Sequence, residues 1–162
     1  MKFKLREHQI EAINAGNDYF FNSNLDIPKG IICLPTGGGK TVTAISFIVD
    51  AIQKKKINSC LWIVHREELC NQAVDTFNDF NIKASKWTAK EKSTSDITVC
   101  MVQSTKNITR SKKDFDLIVV DEAHHFSAEE DDYQHMYTKL LKKINYKYLL
   151  GLTATPTRLD NK

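Results

Sequence analysis

The sequence predicts an α/β fold, a three-layer sandwich on a mostly parallel sheet. One observation is a set of short, wholly apolar segments: Gly30–Leu34 (GIICL), Cys60–Val64 (CLWIV) and Asp116–Val120 (DLIVV, apolar after its first residue). The other is that segments of helical period lie between them. A strand with no polar face must be covered on both sides. Parallel neighbours need crossover connections, which helices supply. Such crossovers are right-handed, and ligands of such sheets bind beyond the carboxyl ends of the strands.

The elements follow in order. Leu5 to Phe21 has helical spacing at Leu5, Ile10, Ile13 and Phe20. Asn22 to Lys29 is a polar loop ending in Pro-Lys-Gly, and Gly30–Leu34 is the first strand. Lys40 to about Lys55 is a helix whose basic end suits the helix dipole. Cys60–Val64 is the second strand. Glu67 to Phe80 is a helix with Leu69, Ala73, Val74 and Phe77 on one face. Ile82–Trp87 is a weaker strand, followed by strands at Ile97–Val102, Asp116–Val120 and Tyr148–Leu152, with a helix at Tyr133–Ile144 between the last two.

The chain has 162 residues, enough for one domain with a core of its own. A charged fraction of 27% beside 41% hydrophobic residues excludes a disordered chain. The net charge of +3 permits a nucleic-acid partner without arguing for one. From Lys83 to Lys113 the sequence has eight basic residues (Lys83, Lys86, Lys90, Lys92, Lys106, Arg110, Lys112, Lys113) against two acidic ones (Glu91, Asp96). Glu129 to Asp132 is a short acidic run. Both patterns also suit ordinary solvated surface. No two of Cys33, Cys60, Cys70 and Cys100 have zinc or redox spacing, and Cys33, Cys60 and Cys100 are expected in the core. His125 and His135 lack metal-ligand partners and are taken as ordinary polar residues. Trp62 is expected in the core; Trp87 is expected against the sheet edge, with base stacking as the alternative. No apolar run is long enough to cross a membrane, and Met1 to Glu7 is unlike a signal peptide. The expectation is a cytoplasmic protein, or a nuclear one in a eukaryote.

Leu34-Pro35-Thr36-Gly37-Gly38-Gly39-Lys40-Thr41 follows an apolar strand and opens a helix, the setting of a phosphate-binding loop. Glycines let the backbone approach phosphates and aim N–H groups at them, and the helix N-terminus adds its dipole. Lys40 has the reach and charge for the β- and γ-phosphates of ATP, and Thr41 has a hydroxyl for Mg²⁺. Leu34 stands where the general pattern has glycine. Asp121-Glu122-Ala123-His124 follows the strand Asp116–Val120, which puts two carboxylates at the same sheet edge. There Asp121 suits Mg²⁺ held through water, and Glu122 suits orienting and deprotonating the attacking water. Alone, such a pair is better read as a helix N-cap pair; the accompanying phosphate loop is what favours the catalytic reading.

Together these segments resemble motifs I and II of superfamily 2 helicases of the DEAH type, in the branch of the Res subunits of type III restriction enzymes and related DNA repair helicases. The resemblance runs from Leu5 to about Arg158 and implies a RecA-like ATP-binding lobe over residues 1–158, with 159–162 beginning a linker to a second lobe. It implies adenine recognition by Arg6 and Gln9, although Glu7 stands where many relatives have proline. It implies ATP-phosphate contacts from Pro35, Thr36, Gly37, Gly38, Gly39, Lys40 and Thr41. Catalytic roles fall to Lys40, Asp121 and Glu122, and Mg²⁺ ligation to Thr41 and Asp121. Val64–Leu69 resembles motif Ia and Val102–Thr105 a later nucleic-acid motif, which implies backbone contacts by His65, Arg66, Gln103 and Ser104. Leu152–Pro156 resembles motif III and implies coupling through Thr153, Thr155 and His124. The implied partners are DNA, single- or double-stranded, and the second RecA-like lobe, with no membrane. An RNA helicase lobe, or a phosphate-loop ATPase without nucleic acid, is the alternative.

Overall fold

The computed structural model describes residues 4–22, 24, 28–33, 39–122 and 131–153. Its elements are α1 (Glu7–Phe21), β1 (Lys29–Cys33), α2 (Lys40–Gln53), β2 (Cys60–Val64), α3 (Glu67–Asp79), β3 (Ser85–Trp87), β4 (Ile97–Met101), α4 (Ile108–Ser111), β5 (Leu117–Val120), α5 (Asp131–Lys143) and β6 (Tyr148–Thr153). A 3₁₀ turn, Val102–Ser104, follows β4. The six strands form one sheet in the order β1-β6-β5-β2-β4-β3, and every pairing is parallel. The α/β sandwich expected from the apolar strands is therefore what forms.

The two-faced strands explain the layers. In β2, Cys60, Trp62 and Val64 face one apolar cluster, whereas Leu61 and Ile63 face the other. In β5, Leu117 and Val119 divide from Ile118 and Val120 in the same way. This is the period-2 alternation of a strand, with both faces dry. The first cluster is closed by α1, α2 and α3 through Ile13, Ile45, Phe47, Ile48 and Phe77; the second by α4 and α5 through Ile108, Tyr137 and Leu140, with Ile144 just past α5. Burying such side chains contributes about 1.5–3 kcal/mol each. Phe21 stacks on Phe47 with centroids 5.8 Å apart and meets Tyr148 edge-on at 5.2 Å, which pins α1 over α2 and β6. Gly16 permits that approach: a Cβ there would lie 3.2 Å from the Phe47 ring.

Three details depart from the sequence expectation. Cys33 is exposed, because β1 is an edge strand and Cys33 lies at its end. The weak strand is only Ser85–Trp87, since Asn81 takes a left-handed turn (φ 61°) and the chain beyond it joins the edge late. The 3₁₀ turn and α4 were not anticipated; four residues are too few for a helical period to register. Cys60, Cys70 and Cys100 are buried, and burial pushes all three thiols upward. Among the described residues no helix is long and apolar enough to cross a membrane.

Candidate functional site

The carboxyl ends of β5 and β2 and the start of α2 meet at one sheet edge. Asp121 follows β5 directly, and its N–H donates to the Ile63 carbonyl at 2.9 Å, which extends the ladder by one residue. Glu122 then turns the chain with φ 54°, a left-handed conformation that costs a non-glycine residue about 1–3 kcal/mol. Its N–H donates to Asp121 Oδ1 at 2.9 Å. Lys40, the first residue of α2, reaches both carboxylates: its ammonium donates to Glu122 Oε1 and lies 3.8 Å from Asp121 Oδ1. These three residues, assigned catalytic roles from the sequence, are thus one ion cluster.

The cluster is shielded from water. The Asp121 side chain is 2% exposed, that of Lys40 17% and that of Glu122 22%. Burial pushes the Asp121 carboxyl up to about 6; Lys40 opposes that shift and the Glu122 charge adds to it. Thr41 is buried beside them, the second residue of α2. The N-cap of α2 is Gly39 in the left-handed region (φ 71°), with no side-chain cap. Among the described residues no side chain caps this 14-residue helix, and its dipole favours an anion at that end. Oxygen donors from Thr41 and Asp121 suit Mg²⁺. The residues present fit both a phosphate chain and its metal.

Gln9 braces this helix start. Its Nε2 donates to Thr43 Oγ1 at 3.0 Å and to the Gly39 carbonyl at 3.3 Å, while its Oε1 accepts the Arg6 N–H at 2.8 Å. The last bond is the return half of a capping box. Gln9 is buried and Arg6 is exposed. Thr43, which no sequence motif singled out, donates to Gly39 O at 2.8 Å and completes the brace. It sits three residues past Lys40 on the face toward α1, and only the packed helices disclose that.

The second predicted group is also brought together. Val64 and Met101 are register partners on neighbouring strands, so the segments after β2 and β4 emerge side by side. Gln103 Nε2 donates to the His65 carbonyl at 3.0 Å, and Arg66 Nε donates to His65 Nε2 at 3.3 Å. His65 is buried, Arg66 and Gln103 are exposed and Ser104 is half-buried. Trp87 is 4% exposed and donates its Nε1–H to the Ser104 carbonyl at 2.6 Å, so it packs at the sheet edge with no face open for a base. Thr153 is buried at the end of β6, beside Cys33 in register. Pro35, Thr36, Gly37, Gly38, His124 and Thr155 lie outside the described residues.

The profile of the family described as "Type III restriction enzyme, res subunit" matches residues 2–158. The chain belongs to that family. Its relatives include a translocase, a putative helicase and a restriction endonuclease subunit: it is 32% identical over 99% of its length to the DNA 3'-5' translocase XPB2 of Sulfurisphaera tokodaii, covering 33% of that protein. It is 30% identical over 98% of its length to the putative mitochondrial ATP-dependent helicase irc3 of Schizosaccharomyces pombe, covering 27%. To the type I restriction enzyme EcoKI endonuclease subunit of Escherichia coli it is 31% identical over 94% of its length, covering 15%. The chain thus spans about a third or less of these relatives. The fold of this family member matches the Sulfolobus solfataricus SWI2/SNF2 ATPase core solved with dsDNA, with a TM-score of 0.78 at 21% identity over 100% of this chain and 34% of that one. Membership agrees with the resemblance read from the two acidic and glycine-rich motifs.

Proposed function

We propose that this chain is the ATP-binding first lobe of a nucleic-acid motor that acts on DNA as a helicase or translocase, completed by a second RecA-like lobe. The observation that carries the reading is the Lys40–Asp121–Glu122 cluster at the uncapped start of α2. A phosphate-binding lysine, a buried carboxylate and a second carboxylate converge at the helix end whose dipole favours an anion.

In this reading Lys40 releases its carboxylates when nucleotide binds and takes up the β- and γ-phosphate oxygens. Thr41 and Asp121 would hold Mg²⁺, which would supply charge stabilisation to the phosphates. Glu122, freed from Lys40, accepts a proton from the attacking water. The brace from Gln9 to Gly39 and Thr43 fixes the start of α2 and gives Gln9 and Arg6 their place beside the nucleotide site. Arg66 and Gln103 contact the sugar–phosphate backbone, with His65 and Ser104 beneath them, and Thr153 with Thr155 and His124 links the two sites. Support for DNA comes from the relatives, named as a DNA translocase and restriction subunits, and from a fold neighbour solved on dsDNA. Residues 1–158 form the lobe, and 159–162 begin the linker.

Calorimetry with ATP and Mg²⁺ tests the reading. Wild type binds, and Lys40→Ala loses at least tenfold in affinity, about 1.4 kcal/mol. Equal affinities would remove the phosphate site and the motor with it.

A further inference from the structure

Beyond the His65–Gln103 edge, the fold contains a basic groove whose cations no motif assigns. It lies between the segment Val102–Arg110 and α5, has a volume of about 420 Å³, and is lined by Gln103, Lys106, Arg110, His135, Lys139 and Lys143 among others. No described carboxylate lines it. These six residues are all exposed. We propose that this groove is a second binding track for the phosphodiester backbone of nucleic acid, continuous with the contact made by Arg66 and Gln103.

Three observations carry it. The charges are arranged against their own electrostatics. Lys106 and Arg110 stand four residues apart on one wall, and Lys139 and Lys143 four apart along α5 on the other. Lys139 and Lys143 share one helix, where like charges at that spacing are destabilising by a few tenths of a kcal/mol. The α5 dipole accounts for Lys143 in the last turn, as for Lys142, but not for Lys139; on the opposite wall Arg110 lies in the last turn of the four-residue α4 and Lys106 precedes that helix.

Three lysines outside the groove are paired with carboxylates. Lys54 lies 3.0 Å from Asp50, Lys147 3.6 Å from Asp116 and Lys112 3.7 Å from Asp96. Among the described residues, none of Lys106, Arg110, Lys139 and Lys143 forms an ion pair. Four cations and a histidine around one cleft match a ligand with regularly repeated negative charge, and backbone phosphates bind such side chains without reading bases.

The groove is also joined to the predicted contact. Gln103 lines its rim and is tied through Nε2 to the His65 carbonyl, next to Arg66. A strand crossing Arg66 and Gln103 meets Lys106 and Arg110 next, then α5. The eight-to-two basic excess between Lys83 and Lys113 thus has a local purpose at its carboxyl-terminal half.

The inference rests on the reading of this chain as a nucleic-acid motor lobe, and the test separates the two. Binding of a fluorescein-labelled single-stranded DNA is measured by anisotropy across a salt series for wild type, Arg66→Ala and the exposed double variant Lys139→Gln/Lys143→Gln. The double variant is expected to bind about tenfold more weakly at about 100 mM salt, and to lose about 1.4 from the slope of log affinity against log salt. Its ATP–Mg²⁺ affinity and circular dichroism match wild type. If Arg66→Ala weakens binding while the double variant keeps wild-type affinity and slope, the groove is solvated surface and the proposal is overturned, with the motor reading intact. If wild type itself shows no salt-dependent DNA binding, both fail. Equal competition by poly-glutamate would overturn the nucleic-acid assignment in favour of an acidic protein partner.

Discussion

The Lys40 ammonium lies 3.8 Å from Oδ1 of Asp121, a carboxylate only 2% exposed, and bonds at the same time to Glu122. One cation therefore compensates two acids, of which Asp121 is almost wholly buried and Glu122 partly exposed. Compensation is partial, because burial still pushes Asp121 from its ordinary 3.8 to about 6. A carboxyl with a raised native pKa binds more protons folded than unfolded between those values. Stability thus falls as pH rises from about 4 to about 6, and the cost is complete above 6. The full difference corresponds to at most about 3 kcal/mol. With metal removed by chelator, Asp121→Asn should therefore raise the melting temperature above pH 6 and flatten its dependence below, since asparagine keeps an oxygen for the Glu122 N–H. A variant with an unchanged thermal profile would show that Asp121 is not desolvated.

Removing the cation acts the other way. Lys40→Met leaves Asp121 and Glu122 facing each other without a counter-charge, and should cost about 1–3 kcal/mol at pH 7.5. Adding Asp121→Asn to it should recover most of that loss. Urea unfolding of the four proteins in this cycle gives the coupling directly. Additive effects would mean that the lysine and the aspartate do not share a site.

Much of this site is legible in the sequence because strand ends and helix starts are marked there. The apolar run before Asp121 and the glycines before Lys40 place both at one sheet edge. Parallel pairing then brings the segments after Val64 and Met101 together. What the sequence does not carry is long-range side-chain pairing. Lys40 and Glu122 are 82 residues apart, and Gln9 and Thr43 are 34 apart. No period links such residues; only the packing of α1 and α2 on the sheet does. Exposure at an edge is equally invisible: Cys33 lies in an apolar run just as Cys60 does, yet β1 has a neighbour on one side and β2 on both.

Trp87 holds the edge strand to the turn that carries Gln103. Its indole N–H donates to the Ser104 carbonyl at 2.6 Å, and the Lys92 ammonium lies 5.4 Å from the ring centroid. Trp87→Phe keeps most of the apolar area but leaves that carbonyl without its donor, which should cost about 1–3 kcal/mol in urea unfolding. Trp62, fully buried edge-on to Phe77, remains as the fluorescence reporter. A loss under 0.5 kcal/mol would mean that water replaces the indole at Ser104.

Hydrolysis should separate from binding. If the nucleotide site is shared with a second lobe that supplies arginine to the transferring phosphate, these 162 residues alone lack a contribution of roughly 10³–10⁵ in turnover. They should bind ATP–Mg²⁺ yet hydrolyse it at a rate that DNA barely changes, measured by phosphate release. Strong DNA-stimulated turnover by this chain would show that Lys40, Asp121 and Glu122 suffice, and would remove the second lobe from the chemistry.

Gly39 is the residue on which the helix start turns. Its φ of 71° already disfavours any side chain, and a Cβ there would lie 2.6 Å from Gln9 Nε2. The obstructing atom is the end of a flexible side chain, so Gly39→Ala forces Gln9 to give up its bonds to Gly39 and Thr43 instead of clashing with backbone. Its cost should be about 1–2 kcal/mol for the left-handed backbone plus the loss of those bonds. Gln9→Ala alone should cost about 1–2 kcal/mol, and in that background Gly39→Ala should cost only the backbone part. A cycle in thermal unfolding reads the difference. Strict additivity would show that Gln9 does not brace the loop, and that its place beside the nucleotide site must be explained by something other than its bonds to Gly39 and Thr43.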